Sequence, residues 1–190
     1  LEVEKVPKEV FLVCETPGNF DIFINNEKIF KNICGFYYDI SFKKLDISDL
    51  LKPGTNEITM ETSFVQSKEV YENIEKSKLF ESEKNKLTYD MEIESIYIIG
   101  DFDVKTNGEF KDLDRVAVRY KGDFIITDKK EEKELSNLEQ HGYPFFAGRI
   151  TFEKVINLEH INYKLKFNKK GVNAVKIKVN DKDAGTIIWN

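Results

Sequence analysis

The sequence predicts an all-β protein, built as an antiparallel β-sandwich. Short apolar or alternating segments recur along its 190 residues, and turn-forming residues separate them. Phe and Tyr contribute 15 and 8 residues to an aromatic content of 13%, and these residue types favour strands. A single segment has helical periodicity, so the chain lacks the strand–helix alternation of a parallel α/β fold.

Strands alternate with turns in the first part of the chain. Turn-forming residues follow the apolar run at 10–15, and Asn25-Asn26 supplies side chains that tolerate positive φ in a tight hairpin. Residues 46–51 predict one helical turn, which a Pro-Gly pair ends. We expect strands at residues 10–15, 20–25, 27–30, 35–42 and 56–62. The strand at 35–42 reads as continuous, with Tyr37 and Asp39 on one face and its other aromatic residues opposite.

The middle of the chain changes its period. Val70, Ile74 and Leu79 recur at about helical spacing between Glu and Lys residues, which predicts a surface helix or helical insertion at about 66–79. Residues 87–103 form the strongest predicted β region, and 96–99 read as a buried run. Two strands that flank Lys121-Gly122 predict a hairpin, and a polar segment follows. The remaining predicted strands cover residues 115–120, 123–127, 161–168, 173–180 and 185–189.

The stretch at residues 142–152 concentrates unusual residue types. Gly142 and Gly148 permit backbone angles that a Cβ disfavours, and Pro144 restricts both its own φ and the residue before it. Three aromatic rings lie between the glycines, and an alternating strand is expected to follow. The rings suit either the core or a surface on which a sugar stacks.

Charge and composition exclude two classes of partner. A formal net charge of −5 argues against a nucleic-acid surface, and no apolar run approaches the length of a membrane span. Cys14, within an apolar run, is expected to be a buried free thiol, while a disulfide with Cys34 stays open. Because Leu1 is not an initiator methionine, we expect a fragment or processed product, so the compartment stays open between extracellular and cytoplasmic.

Two parts of the chain resemble each other, which suggests two related sandwiches in tandem. Residues 20–28 and 174–182 each form an alternating strand that ends in an Asn-Asn or Asn-Asp turn. We therefore expect one unit at 1–104, with the helical insertion, and a second at 105–190. Only the first copy continues through the segment at 46–58, so the second unit is expected to be short of one or more strands at its C-terminus.

The segments just described resemble the galactose-binding-like jelly-roll domains of glycoside hydrolases of the β-galactosidase/β-glucuronidase and α-L-rhamnosidase-like type. The matching motifs are Ile24-Asn25-Asn26-Glu27-Lys28, Gly35-Phe36-Tyr37-Tyr38-Asp39, Asp46-Ile47-Ser48-Asp49-Leu50-Leu51-Lys52-Pro53-Gly54-Thr55-Asn56-Glu57-Ile58, and the stretch at 143–152 with the hairpin at 179–186. The resemblance covers about residues 9–62 and 122–189, and both turns depart from the usual Asn-Gly. It implies a scaffold, because the shared residues have structural roles.

No constellation of catalytic residues emerges from the sequence. The acids beside aromatic residues, which a glycosidase mechanism would need in a positioned pair, are expected to be strand-end or turn acids: Glu15, Asp39, Asp90, Asp101 and Asp103. His141 and His160 lack partners at zinc-ligand spacing. We expect no cofactor, although sandwiches of this type can hold a structural calcium ion.

Three functions remain open, and none makes this chain an enzyme by itself. The first is a non-catalytic β-sandwich portion of a larger carbohydrate-active enzyme, in which its partner is the catalytic domain of the same parent chain. The second is a carbohydrate-binding module, and the third is an adhesion or protein-interaction module without sugar binding. For the second, the candidate contacts are Tyr37, Tyr38, Asp39, Tyr143, Phe145, Arg149 and Trp189. No nucleic acid or membrane partner is expected.

Overall fold

The computed structural model describes residues 1–30, 32–114, 117–129, 138–159, 163–166 and 174–188. In these ranges the chain is mostly β-strand, in several antiparallel sheets, with two short α-helices. The all-β, antiparallel class is therefore confirmed. Trp189, His160 and half of the predicted strand at 161–168 lie outside the described residues. The chain divides into two compact units, Leu1–Phe102 with Ile126–Asp128, and Asp103–Ile125 with Lys129–Asn190.

The first unit contains nine strands and both α-helices among its described residues. They are β1 (Glu2–Val3), β2 (Val10–Glu15), β3 (Asp21–Ile24), β4 (Glu27–Lys28), β5 (Ile33–Tyr37), β6 (Asp39–Asp46), β7 (Gly54–Thr55), β8 (Ile58–Glu61), α1 (Lys68–Leu79), α2 (Glu81–Lys84) and β9 (Tyr97–Gly100). One sheet has the order β5-β6-β2-β9 and a second has the order β4-β3-β8, while β1 pairs with β7. Short 3-10 helices occupy Pro17–Asn19 and Ser48–Leu50, the second within the predicted helical turn.

Alternation along β2 builds the core of the first unit. Val10, Leu12 and Cys14 face inward. There they join Ile22 and Ile24 of β3 and Leu45 of β6 in one hydrophobic cluster. The cluster therefore joins side chains of the four-stranded and three-stranded sheets, and burial of this apolar surface stabilises both. Cys14 belongs to this cluster as a buried free thiol, as expected, and Cys34 is free and exposed.

A buried asparagine ties the loop before β8 to the β3–β4 hairpin. Asn56 is 1% exposed, and its side chain makes four hydrogen bonds. Its Oδ1 accepts from Asn25 Nδ2 at 2.9 Å and from Lys52 N at 2.9 Å, and its Nδ2 donates to Lys52 O at 2.7 Å and Gly54 O at 3.0 Å. Asn25 Nδ2 also donates to Leu50 O at 3.1 Å. These bonds satisfy backbone N–H and C=O groups of the irregular loop that would otherwise need hydrogen bonds from water.

Ser48 joins the short 3-10 helix to β2. Its Oγ donates to Asp46 Oδ1 at 2.6 Å and accepts from Val10 N at 2.9 Å, while its own N donates to Asp46 Oδ1 at 3.0 Å. The hydroxyl and amide of Ser48 lower the pKa of Asp46 below its ordinary value of 3.8. The Asp-Ile-Ser segment thus stabilises a chain reversal.

Four predicted strands differ from the structure in the described residues, and hydrogen bonds to a distant segment explain one of them. The strand at 35–42 is interrupted at Tyr38, which separates β5 from β6. Residues 87–96 form no strand; there, Gln66 accepts a bond from Asp90 N, and Asp90 accepts one from Ser67 N, in place of a ladder. The strand expected after Gly148 is likewise absent from described residues 149–159, and described residues 163–166 do not form the strand expected at 161–168.

The helical insertion is confirmed and extends further than expected. α1 covers Lys68–Leu79 and α2 follows at Glu81–Lys84. Val70 is buried, whereas charged pairs such as Lys68–Glu72 lie on the exposed face. No helix among the described residues is long and apolar enough to cross a membrane.

The described strands from residue 103 onward are β10 (Asp103–Thr106), β11 (Glu109–Asp112), β12 (Val118–Lys121), β13 (Phe124–Thr127), β14 (Ala174–Val179) and β15 (Lys182–Ile188). β12 pairs with β11, and the expected hairpin across Lys121-Gly122 is wrong. The Tyr120 hydroxyl stabilises the turn between β10 and β11, because it accepts hydrogen bonds from Asn107 N and Gly108 N, each at 2.9 Å. β14 and β15 form the expected hairpin, with positive φ at Asn180 and Asp181.

Replacing Asn56 tests its role in the fold. We expect Asn56→Ala to lower the free energy of unfolding by about 3 kcal/mol, because several net bonds of about 1 kcal/mol are lost and buried partners stay unsatisfied. Urea unfolding provides the measurement. Asn85→Ala, at an exposed position, is the matched control and should change stability by less than about 0.5 kcal/mol. Equal losses for the two variants would show that the Asn56 bonds are dispensable.

The Asp46–Ser48 contact predicts a pH dependence of stability. Because the folded pKa of Asp46 lies below 3.8, its ionised form stabilises the fold above that pH, and this contribution is lost as pH falls through the folded pKa. We expect the stability difference between the native chain and Asp46→Asn to shrink on acidification from neutral pH. Urea unfolding at a series of pH values measures it, and a difference independent of pH would contradict the assignment.

Candidate functional site

An aromatic residue forms the tip of the β5–β6 hairpin. Tyr37 and Asp39 are partners in the register, so Tyr38 alone turns the chain. The φ of Tyr38 is +57°, in the left-handed region that bulky residues rarely occupy, and its side chain is 88% exposed. Because the Tyr38 ring is exposed, burial in the core does not offset the cost of this backbone conformation. Strain of this kind is typical of sites that contact a ligand.

Asp39 is held beside this ring by Ser41. Its Oδ1 accepts from Ser41 N at 2.8 Å and from Ser41 Oγ at 2.8 Å. These two bonds, with the backbone amide as the larger cause, lower the pKa of Asp39 below its ordinary value of 3.8. The group is therefore a carboxylate at neutral pH, and the other oxygen, Oδ2, takes part in neither bond. An exposed, oriented carboxylate accepts hydrogen bonds from ligand hydroxyls.

Further rings extend from the tip across the four-stranded sheet. Tyr37 meets Tyr38 edge to face, with centroids 4.6 Å apart, and Tyr97 lies 6.1 Å from Tyr37 and 5.9 Å from Phe42. Burial, followed by the neighbouring tyrosines, raises the pKa of Tyr37, so its phenol stays protonated at neutral pH. These four residues form what we call the tyrosine cluster.

The tyrosine cluster adjoins a groove at the β9 side of this sheet. Phe11, Lys44 and Ile99 line it from the face opposite the hydrophobic core, whereas Ile98 and Phe102, which also line it, pack against the core. The volume of the groove is about 570 Å³, and it is lined by Glu9, Phe11, Tyr37, Lys44, Ile98, Ile99, Gly100, Asp101 and Phe102. Lys44 Nζ lies 4.1 Å from the centroid of the Phe11 ring, a cation–π contact. Rings, acids and one ammonium group thus line the same open surface.

The second predicted aromatic group lies in the second unit. Phe145 is 70% exposed, and its ring is the outer member of a row of contacts with centroid distances of 4.7, 4.9 and 4.6 Å that links Phe110, Tyr120, Phe124 and Phe145. Tyr143 contacts Phe146 instead, at 6.2 Å, and Arg149 is exposed. The three aromatic rings between Gly142 and Gly148 are therefore only partly covered.

The structure brings together only some of the predicted contacts. Tyr37, Tyr38 and Asp39 are adjacent at one hairpin tip, whereas Tyr143 and Phe145 pack on different rings. Trp189 lies outside the described residues. Sequence patterns did not identify Phe11, Lys44 and Tyr97 as candidate contacts. Residues 96–99 form an apolar run typical of a buried strand, although Tyr97 is 42% exposed. Alternation along β2 was the available signal, since Phe11 must face away from Leu12.

Comparisons and metal chemistry add no assignment. Among the described residues, no group of three or more His, Cys, Asp or Glu side chains could hold a metal ion. A comparison of this chain with protein-family models, curated proteins and solved structures finds no match. Any functional conclusion therefore rests on the geometry of the site and on the residues of the sequence itself.

The strain at Tyr38 is itself testable by stability measurements. We expect Tyr38→Gly to raise the free energy of unfolding by about 0.5 kcal/mol, because relief of a left-handed backbone worth about 1 kcal/mol exceeds the added freedom of the unfolded chain. Tyr38→Ala, which keeps a Cβ and therefore the strain, is the matched variant and should not be stabilised. If both variants gain or both lose stability equally, Tyr38 is not strained.

Proposed function

We propose that this chain is a non-catalytic, carbohydrate-binding β-sandwich portion of a larger glycoside hydrolase, with the β5–β6 hairpin tip as its sugar contact. The observation that carries the proposal is the exposed ring of Tyr38 in a left-handed conformation beside the oriented carboxylate of Asp39. The sequence resemblance to galactose-binding-like jelly-roll domains supports the same class, and with it the division into two related sandwich units.

The chemistry of the hairpin tip matches that of a sugar. One face of a pyranose ring carries C–H groups that pack on an aromatic ring, and its rim carries hydroxyls that need acceptors and donors. Tyr38 offers the ring, Asp39 an acceptor, and the protonated phenol of Tyr37 both a donor and an acceptor. These groups need no covalent step, which agrees with a binding role.

The segment that carries the resemblance supports a scaffold. Asn56 and Ser48, both within the matching motif, have their polar atoms bound to backbone groups and to Asn25 or Asp46. Their hydrogen bonds stabilise loops and leave ligand contact to other residues. The tip at Tyr38 belongs to the same resemblance, and we assign the recognition of sugar to it.

A protein-interaction module is the second candidate, and the helical insertion favours it. Tyr71, Leu79 and Phe80 expose 57%, 76% and 62% of their surface, which is typical of residues that another protein covers. In the first hypothesis, that protein is the catalytic domain of the parent chain. Substitutions separate the two candidates: sugar binding should depend on Tyr38 and Asp39, whereas protein binding should depend on the exposed residues of the helical insertion.

Binding measurements on the 190-residue chain distinguish these candidates. A glycan array, followed by calorimetric titration of each hit, should reveal weak, specific sugar binding. We expect Tyr38→Ala to reduce the affinity by about tenfold, or about 1.4 kcal/mol, and Asp39→Asn by a smaller factor, because stacking and one charged bond are lost.

Tyr71→Ala is the matched control, since it removes an exposed tyrosine of α1 outside the tyrosine cluster. It should leave sugar affinity unchanged. No binding across a broad panel of plant and host glycans would overturn the carbohydrate role. Hydrolysis of any of these glycans by the isolated chain, if abolished by one Asp or Glu substitution, would overturn the non-catalytic role.

A further inference from the structure

We propose that the groove beside the tyrosine cluster binds an internal stretch of an extended, neutral glycan chain, so that the ligand lies along the sheet and does not end at Tyr38. This inference rests on the proposed function and names the ligand class. Its basis is the continuity of the groove with Tyr37, whose ring lines the groove and also contacts Tyr38.

The groove follows the direction of β2. Glu9 and Phe11 lie at alternate positions along this segment and line the groove, and Lys44 pairs with Val13 two positions further on. On the other side, Ile99 pairs with Phe11, and Asp101 lines the groove beyond it. The step from Glu9 to Val13 spans about 14 Å at about 3.4 Å a residue. This length exceeds one sugar ring before Tyr37 and Tyr38 are added.

The side chains in the groove suit a polar ligand with flat apolar faces. Phe11 and Tyr37 provide ring surface, Lys44 provides a donor, and Glu9 provides an acceptor at the far end. Because Glu9 and Lys44 carry opposite charges, they give the groove no net attraction for an acidic sugar. A neutral glycan can donate a hydroxyl hydrogen bond to Glu9 and accept one from Lys44.

Backbone pairing limits how a ligand binds over β2. β2 is hydrogen-bonded to β6 on one side and to β9 on the other, so its backbone cannot accept an added strand, and a peptide strand would pair only with the outer edge of β9. Binding over β2 must therefore depend on side chains. An extended glycan meets this requirement, because ring faces and hydroxyls are its binding groups.

Affinity as a function of chain length tests the proposal. Calorimetric titration of the 190-residue chain with cellobiose, cellotetraose and cellohexaose, and with the corresponding manno-oligosaccharides, should show a gain of about tenfold or more from disaccharide to tetrasaccharide. Ile99→Trp, which fills the groove, should return tetrasaccharide affinity to that of the disaccharide. The disaccharide, held at Tyr38, should bind this variant as well as it binds the native chain.

A second variant tests the groove independently, in case Ile99→Trp does not fold. Glu9→Ala removes an exposed acceptor at the far end of the groove and should weaken tetrasaccharide binding alone, while Glu27→Ala, an exposed acid on β4, should change nothing. Disaccharide and tetrasaccharide binding of equal strength, lost only in Tyr38→Ala, would overturn the groove and leave the hairpin-tip proposal intact. Failure of both ligand series to bind would overturn both proposals.

Discussion

The hydrogen bond between Asn25 and Asn56, with the bonds that both side chains make to the loop before β8, is the constraint on which the first unit depends. A sandwich can bury apolar side chains only if the loops that close it satisfy their own backbone groups. Asn56, almost fully buried, binds the backbone at Lys52 and Gly54, while Asn25 reaches Leu50 O. The loop is thereby held against the hairpin that follows β3, and Ile22 and Ile24 of β3 are held in the core.

This arrangement leaves the outer face of the four-stranded sheet available for another purpose. Inward-facing residues of β2 supply the core, so Phe11 at the intervening position must face outward. Tyr97 and Phe42 are in ring contact beside it, and Val13, whose strand partners are Lys44 and Tyr97, is fully buried. Strand pairing thus fixes which side chains lie on the outer face, and the ligand surface that we propose consists of those side chains.

Local residue chemistry accounts for the features that the sequence analysis predicted correctly. Asn25-Asn26 and Asn180-Asp181 occupy the positive φ angles that their short polar side chains tolerate, and both close hairpins. The periodic segment with Val70 forms α1, and the turn within 46–51 contains a 3-10 helix. The error at residues 87–96 has a different origin: Gln66 accepts a hydrogen bond from Asp90 N, 24 positions away, in place of a strand ladder. No periodicity within a short window reports such a contact.

The sequence by itself determined the all-β class, the two hairpin turns and the helical insertion, because each depends on residues that are neighbours in the chain. Tyr37, Tyr38 and Asp39 were identified in the same way, as adjacent aromatic and acidic residues. Only the tertiary structure decided that Tyr38 turns the chain and that Phe11, Lys44 and Tyr97 share one face of the four-stranded sheet. Strand register brings together side chains from distant parts of the chain, and register is set by the packing of the whole unit.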